Sequence, residues 1–424
     1  MPLRIIKKDP SYRWVILSIS LALMIVVNGM TFGGPTVFDD IILNTLTTAD
    51  GQSISRGELK LRETIMIWSA ACFGFLTGIF ADKYGVKPII MIGLVGLSFA
   101  TYSYSKINSL SDIYIIYLIF GPTLIFVGSL VNVILISRWF SKNRALGLGI
   151  MAAGSSIGSG VLTPVYAWML NFMEWRTILM WNSIIPLFML IIVGFLLHEM
   201  PQRKKSIPSD NRSNKKTLDE FTFMEAIKNK NLWFIILMAM CLFYAIMGIT
   251  TNAFLFLKDS GFNTQVASIS ATLLFLGSLI GKISCGFFAE DFGRKKVLLC
   301  YFVFLIIGAS LLTLSVSNNN SYFIWFGLGT FGLGFGGIYT LKQLLSADLF
   351  GLKSLGKITG IINLTDTIGA GLGPVMTGFF FDRTGSYQFS FLIILIVVLF
   401  SMIFASFLKI NDNEIEQRKL SQIQ

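Results

Sequence analysis

Apolar residues in this chain gather into twelve long runs divided by short polar breaks. They cover 14–38, 65–80, 88–104, 113–136, 145–170, 178–197, 232–257, 266–289, 297–316, 322–345, 358–381 and 389–408. A helix needs about 20 such residues to cross the hydrocarbon core of a bilayer, so each run predicts one crossing. Six runs precede residue 199 and six follow residue 230. The stretch between them is polar, cation-rich and broken by prolines, which predicts a flexible linker. The expected organisation is a six-helix bundle over 1–198, a linker over 199–230 and a second six-helix bundle over 231–424. The fold class is thus an all-α polytopic membrane protein. FTFMEAIKNKNLW, at the start of the second half, reads as a short amphipathic helix leading into the seventh crossing. The one sizeable loop expected on the outer side covers 39–62.

Composition agrees. The chain has 424 residues, 54% of them hydrophobic and 13% charged, with a mean hydropathy of +0.70. No soluble chain of this length buries so much apolar surface. The net charge of +11 could point to nucleic acid, but the placement of the cations excludes it. With both termini inside, 25 of the 34 Lys and Arg residues fall on the cytoplasmic side, 7 outside and 2 within helices. That asymmetry is the positive-inside rule, and it orients the chain in the cell membrane with both termini cytoplasmic.

GIFADKYGVK at 78–87 returns as GFFAEDFGRK at 286–295, 208 positions later. Each copy joins two apolar runs, as a short cytoplasmic turn would. Two copies half a chain apart mean a duplicated bundle, the way many secondary transporters are built. Cys72, Cys241, Cys285 and Cys300 lie in apolar runs without a metal-type spacing, and His198 is the single histidine. No metal site, cofactor or enzyme chemistry is expected from this inventory. The glycine pairs of the tenth run are no dinucleotide loop, because no βαβ context surrounds them.

The duplicated turn (Gly78, Asp82, Gly85 and Lys87; Gly286, Glu290, Asp291, Gly293 and Arg294) resembles the loop signature of the major facilitator superfamily. That resemblance implies two pseudo-symmetric six-helix halves and alternating access by a single chain, functional as a monomer. Four further features resemble its oxalate:formate antiporter and monocarboxylate-transporter branch. They are RWFSKNRALGLG at 138–149 (with Arg138, Trp139, Phe140 and Arg144), EAIKNKNLW at 225–233, DLFG at 348–351 and DRTGSY at 382–387. By the same resemblance Asp82 sits near the N-terminus of the eleventh helix when the inside is closed, where a helix dipole favours a carboxylate.

Charges at bilayer depth cost from about 3 to above 10 kcal/mol, so Lys282, Lys342 and Asp366 each need an explanation. Lys282 lies seven residues from the end of its run and Asp366 eight from the start of its own, each roughly 10–12 Å deep at 1.5 Å per residue. Matched depth makes a Lys282–Asp366 ion pair feasible. Lys342, about one turn from the end of its run, is expected to snorkel to the interface. The resemblance places Lys282 where related carriers hold the substrate carboxylate with arginine, and Asp366 where the antiporter has a second cation. It also brings Asn28, Ser129, Asn132, Phe335, Tyr339 and Asn363 to the same cavity.

The expectation is a carrier of small organic anions of the monocarboxylate type, with Asp366 taking the proton of a symport. The alternatives are anion exchange without protons and proton-driven export of amphipathic compounds. Partners are the anion, H+ and the lipid bilayer.

Overall fold

The computed structural model describes residues 11–48, 51–140, 144–198, 223–318, 320–350 and 355–410. The linker expected between the halves therefore lies outside the described residues over 199–222, as do the side chains of Asp82 and Arg144. Among the described residues, twelve long helical rods run through the molecule. They are α1 (Tyr12–Thr45), α2 (Arg56–Tyr84), α3 (Lys87–Tyr104), α4 (Leu110–Trp139), α5 (Arg144–Met169) and α6 (Trp175–Leu196), then α7 (Lys230–Asp259), α8 (Thr264–Asp291), α9 (Arg294–Asn318), α10 (Ser321–Phe350), α11 (Leu355–Thr384) and α12 (Gln388–Ser406). A short helix, Phe223–Lys228, leads into α7 as the sequence predicts.

Packing repeats six helices on. α1 packs on α5 as α7 packs on α11, α2 on α4 as α8 on α10, and α3 on α6 as α9 on α12. Between the halves α2 meets α11 and α5 meets α8, the two pairs that this pseudo-symmetry exchanges. Glycines let these backbones approach. A Cβ added at Gly336 of α10 would lie 2.1 Å from the Ser278 carbonyl oxygen of α8, and one at Gly369 of α11 2.0 Å from that of Met240 of α7. Small residues at helix crossings are how membrane helices gain van der Waals contact without a hydrophobic drive. Phe195 and Phe287 lie bare on the outside, 78% and 71% exposed, as lipid-facing residues would.

Three boundaries differ from the hydropathy reading. α1 does not stop at residue 38. It passes through a π-helical segment, Gly29–Gly33, and a 3-10 turn, Gly34–Phe38, and continues as Asp39–Thr45. α2 begins at Arg56, so much of the loop expected at 39–62 is helix. Hydropathy misses this stretch because Lys60, Arg62 and Glu63 are charged, although all three are buried and paired. α10 runs on to Phe350, which places Lys342 two turns inside its end.

Both copies of the repeated turn have the same backbone. Gly85 and Gly293 take φ of +89° and +83°, a region in which a side chain is strained, so the second glycine of the motif is required by geometry. The cation two positions on then reaches the end of the sixth helix of its own half. Lys87 donates to the Gly194 carbonyl at 2.7 Å, and Lys295 to that of Leu408 at 2.8 Å. A cation there meets the negative end of a helix dipole.

Candidate functional site

The two repeats lie on one face of the molecule, the motif face. The halves are joined firmly at the other one. Asp382, in the DRTGSY segment at the end of α11, accepts hydrogen bonds from the backbone N–H groups of Arg56 (2.9 Å) and Gly57 (2.7 Å), the first residues of α2. The Arg56 guanidinium pairs with Asp259, donates to the Tyr387 hydroxyl at 2.7 Å and lies 3.9 Å over the Phe381 ring. Lys258 of α7 approaches Asp40 of α1 at 3.4 Å. Deeper in, Thr64 donates to the Gly371 carbonyl at 2.6 Å and the Trp68 indole to that of Thr367 at 3.1 Å. Toward the motif face the same helices separate. Among the described residues, a Cβ at Gly78 of α2, Gly286 of α8 or Gly360 of α11 would meet nothing within 4 Å.

Behind this seal lies a network that sequence reasoning missed. Asp39 pairs with both Lys60 and Arg62, Glu63 lies 3.0 Å from Arg62, and all four side chains are buried. Two cations against two acids leave the cluster neutral, the condition under which buried charge is tolerated. The Lys60 ammonium also donates to the Thr251 carbonyl on α7, so it ties the halves together.

Between the seal and the motif-face end of α8 (Thr264–Asp291) stands Lys282. Its ammonium donates to the hydroxyls of Ser155 (3.2 Å) and Ser156 (2.8 Å) on α5, across the seam between the halves. It also lies 5.6 Å from the centroid of the Tyr339 ring. Among the described residues no carboxylate comes within ion-pair distance of it. Nothing in the local sequence distinguishes either serine within its glycine-rich helix.

The expected Lys282–Asp366 pair does not form. Asp366 instead pairs with Lys342, which is 3% exposed and does not snorkel. The reason is the neighbourhood of each helix: α8 packs on α5 and α10, whereas α11 packs on α2 and α7 and touches α10. Equal depth does not bring side chains together unless their helices are adjacent and face one another. Lys342 also lies 4.6 Å over Phe243 and 5.8 Å over Tyr339, so one tyrosine ring serves both buried ammoniums. Such contacts contribute about 0.5–2 kcal/mol each. The Oδ1 atom of Asp366 is buried and, among the described residues, has no hydrogen-bond partner.

The other expected site residues divide. Tyr339 stands between the two lysines, and Phe335, on the preceding turn, meets Phe275 of α8 edge-on at 6.3 Å, forming an apolar wall on the α8–α10 seam. Asn363 is exposed one turn before Asp366. Asn28 opens the π segment of α1 with its amide donating to the Met24 carbonyl at 2.9 Å. Ser129 is exposed at the first turn after the break in α4. Asn132 is not available to a ligand. Its amide donates to the carbonyls of Val127 (2.6 Å) and Gly128 (2.8 Å) at that break, and its oxygen accepts from Ser20.

The motif residues act in holding helix ends. Arg294 pairs with Asp348 of the DLFG segment, while Glu290 and Asp291 are exposed. Trp139 donates to the His198 carbonyl at 3.1 Å, and Phe140 packs on Trp14. Arg138, beside them, is half-buried.

The same architecture recurs among known proteins. The model of the Major Facilitator Superfamily matches residues 19–281 and again 261–423. The chain is similar to the sialic acid transporter NanX of Escherichia coli strain K12, 26% identical over 337 residues, which cover 77% of this chain and 78% of that protein. It is also similar to monocarboxylate transporter 12 of Mus musculus, 23% identical over 395 residues, covering 86% and 75%. Among solved structures, a bacterial homologue of the lysosomal transporter Spinster, inward-facing and occupied, superposes with a TM-score of 0.74 at 16% identity, covering 95% of this chain and 97% of that one. A point mutant of the nucleoside transporter NupG gives 0.73 at 15% identity, covering 93% and 99%. These likenesses show the fold. The chain belongs to the major facilitator superfamily, whose members are transporters and not enzymes.

Proposed function

We propose that this transporter carries small organic anions of the monocarboxylate type by alternating access, each anion moving with a proton. The observation that carries the reading is the Lys282 ammonium, held inside a membrane-spanning helix by two neutral hydroxyls and a ring face with no acid beside it among the described residues. A buried charge without a counter-charge is costly. An anionic substrate supplies the missing partner, and a cationic one would be repelled. The relatives named for sialic acid and for monocarboxylates point to the same chemical class.

Asp366 supplies the proton site. Paired with Lys342 it is part of a neutral couple, and its unpartnered oxygen is where a proton adds. Protonation frees the Lys342 ammonium, so one proton and one anion enter together and their charges cancel. The motif face opens to the cytoplasm in this state, the sealed face looks outward, and one chain forms the whole path within the cell membrane.

The test uses purified protein in proteoliposomes offered labelled pyruvate, lactate and N-acetylneuraminate under an imposed pH gradient. The expected result is accumulation driven by outside acid. Lys282→Gln should reduce binding by about a hundredfold, the worth of an interaction with an ionised group at about 3 kcal/mol. Asp366→Asn should still exchange labelled for unlabelled anion but fail to accumulate it. Accumulation by Asp366→Asn that follows the gradient removes the proton role, and wild-type exchange indifferent to any gradient replaces symport by antiport.

A further inference from the structure

The two serines that hold Lys282 are not equivalent. The Ser155 hydroxyl donates its proton to the Ala152 carbonyl at 2.8 Å, so toward Lys282 it acts only as an acceptor. The Ser156 hydroxyl accepts from Lys282 at 2.8 Å, and among the described residues its own proton has no acceptor. A hydroxyl carries one donor, an ammonium three. Two of the three N–H bonds of Lys282 point to the serines. One remains.

Resting on the anion reading above, we infer that Ser156 is a substrate-contacting residue, which with Lys282 presents a pair of donors to a single carboxylate. The third N–H of Lys282 and the free O–H of Ser156 belong to atoms 2.8 Å apart, one on α8 and one on the buried Ser156 of α5. The carboxylate accepts from both, so both halves of the transporter hold the same ionised group. Ser155 orients the ammonium and never faces the anion with a proton. Selectivity follows. An acid in its ionised form meets two donors, whereas an amide or ester of the same acid offers one carbonyl oxygen and no charge. The seam between α5 and α8 becomes the place where the presence of cargo is registered by both halves.

The pair of serines allows a controlled experiment. Dissociation constants for labelled pyruvate, lactate and N-acetylneuraminate are measured on the purified full-length protein as wild type, Ser156→Ala, Ser155→Ala, Ser156→Thr and Lys282→Gln, with a melting temperature for each. Ser156→Ala should weaken binding of the preferred acid about tenfold or more, as loss of one hydrogen bond to an ionised group does. Ser155→Ala should stay within about threefold, and the hydroxyl-retaining Ser156→Thr should recover part of the loss. Selectivity for the acid over its amide should fall in Ser156→Ala and hold in Ser155→Ala, a readout that a packing defect would not move. Wild-type affinity in Ser156→Ala, or equal losses in both alanine variants, overturns the inference. If Lys282→Gln binds as wild type does, or if wild type binds none of the acids, the anion reading itself falls. Loss in Lys282→Gln with none in Ser156→Ala removes only the serine.

Discussion

Asp382 of α11 caps the N-terminus of α2, its two carboxylate oxygens each accepting one backbone N–H, from Arg56 and from Gly57. A helix N-terminus offers unpaired N–H groups and the positive end of a dipole, so a carboxylate there serves as an anionic cap. This cap joins the two halves of the transporter. To open that face the protein must part Asp382 from α2, Arg56 from Asp259, and Lys60 from Thr251.

The cap should therefore bias the conformational equilibrium. Asp382→Ala is expected to remove about 1 kcal/mol from the closed side of this face, which moves the population about fivefold toward opening there. Spin labels at Gln52 and Gln388, both exposed near this face, report the change as a longer distance component. An unchanged distribution would mean the cap contributes nothing to the equilibrium.

The Lys342–Asp366 couple should behave as one unit. Breaking a buried pair by removing one partner costs about 3–5 kcal/mol, while replacing both is far milder. Lys342→Met alone is expected to lower the melting temperature of the purified protein more than Lys342→Met combined with Asp366→Asn. A double-mutant cycle on melting curves checks this, and strict additivity would show that the two do not interact.

The network behind the seal should be equally unforgiving. Lys60→Met leaves Asp39 with one cation in place of two and removes the bond to Thr251, so a loss of about 3 kcal/mol or more is expected. Glu63→Gln keeps the shape and can still accept from Arg62, so its loss should be smaller. Thermal unfolding in detergent ranks them.

A glycine at a packed crossing and one on the motif face should respond differently. Gly336→Ala forces a methyl group to 2.1 Å from the Ser278 carbonyl oxygen, and both stability and transport should fall. Gly78→Ala meets open space in this state, so its melting temperature should hold. Its transport rate should nonetheless drop if that turn closes against the other half during the cycle. Equal melting losses in the two variants would contradict the structure.

Much of this was legible in the chain. Twelve apolar runs became twelve rods because a bilayer demands internally hydrogen-bonded segments of fixed length. The repeated turn foretold the duplicated packing, and its second glycine reappears at nearly the same φ in both halves. Lys282, singled out as a charge inside an apolar run, is half-buried in α8. Three things were not legible. A charge signals loop to any hydropathy scale, so Lys60, Arg62 and Glu63 hid the first two turns of α2. Asn132 looked available only because its bonds to the broken backbone of α4 are invisible in one dimension.

The partner of Asp366 shows where sequence stops. The chain by itself set Lys282 and Asp366 at matched depth, because depth follows from position along a helix of known rise, but it set Lys342 at the interface, which the longer α10 overturned. Only the tertiary structure decided which cation the acid takes, since that depends on which helices are neighbours and which faces they turn. α10 lies beside α11 and gave it Lys342; α8 lies against α5, and its ammonium was left to two serines.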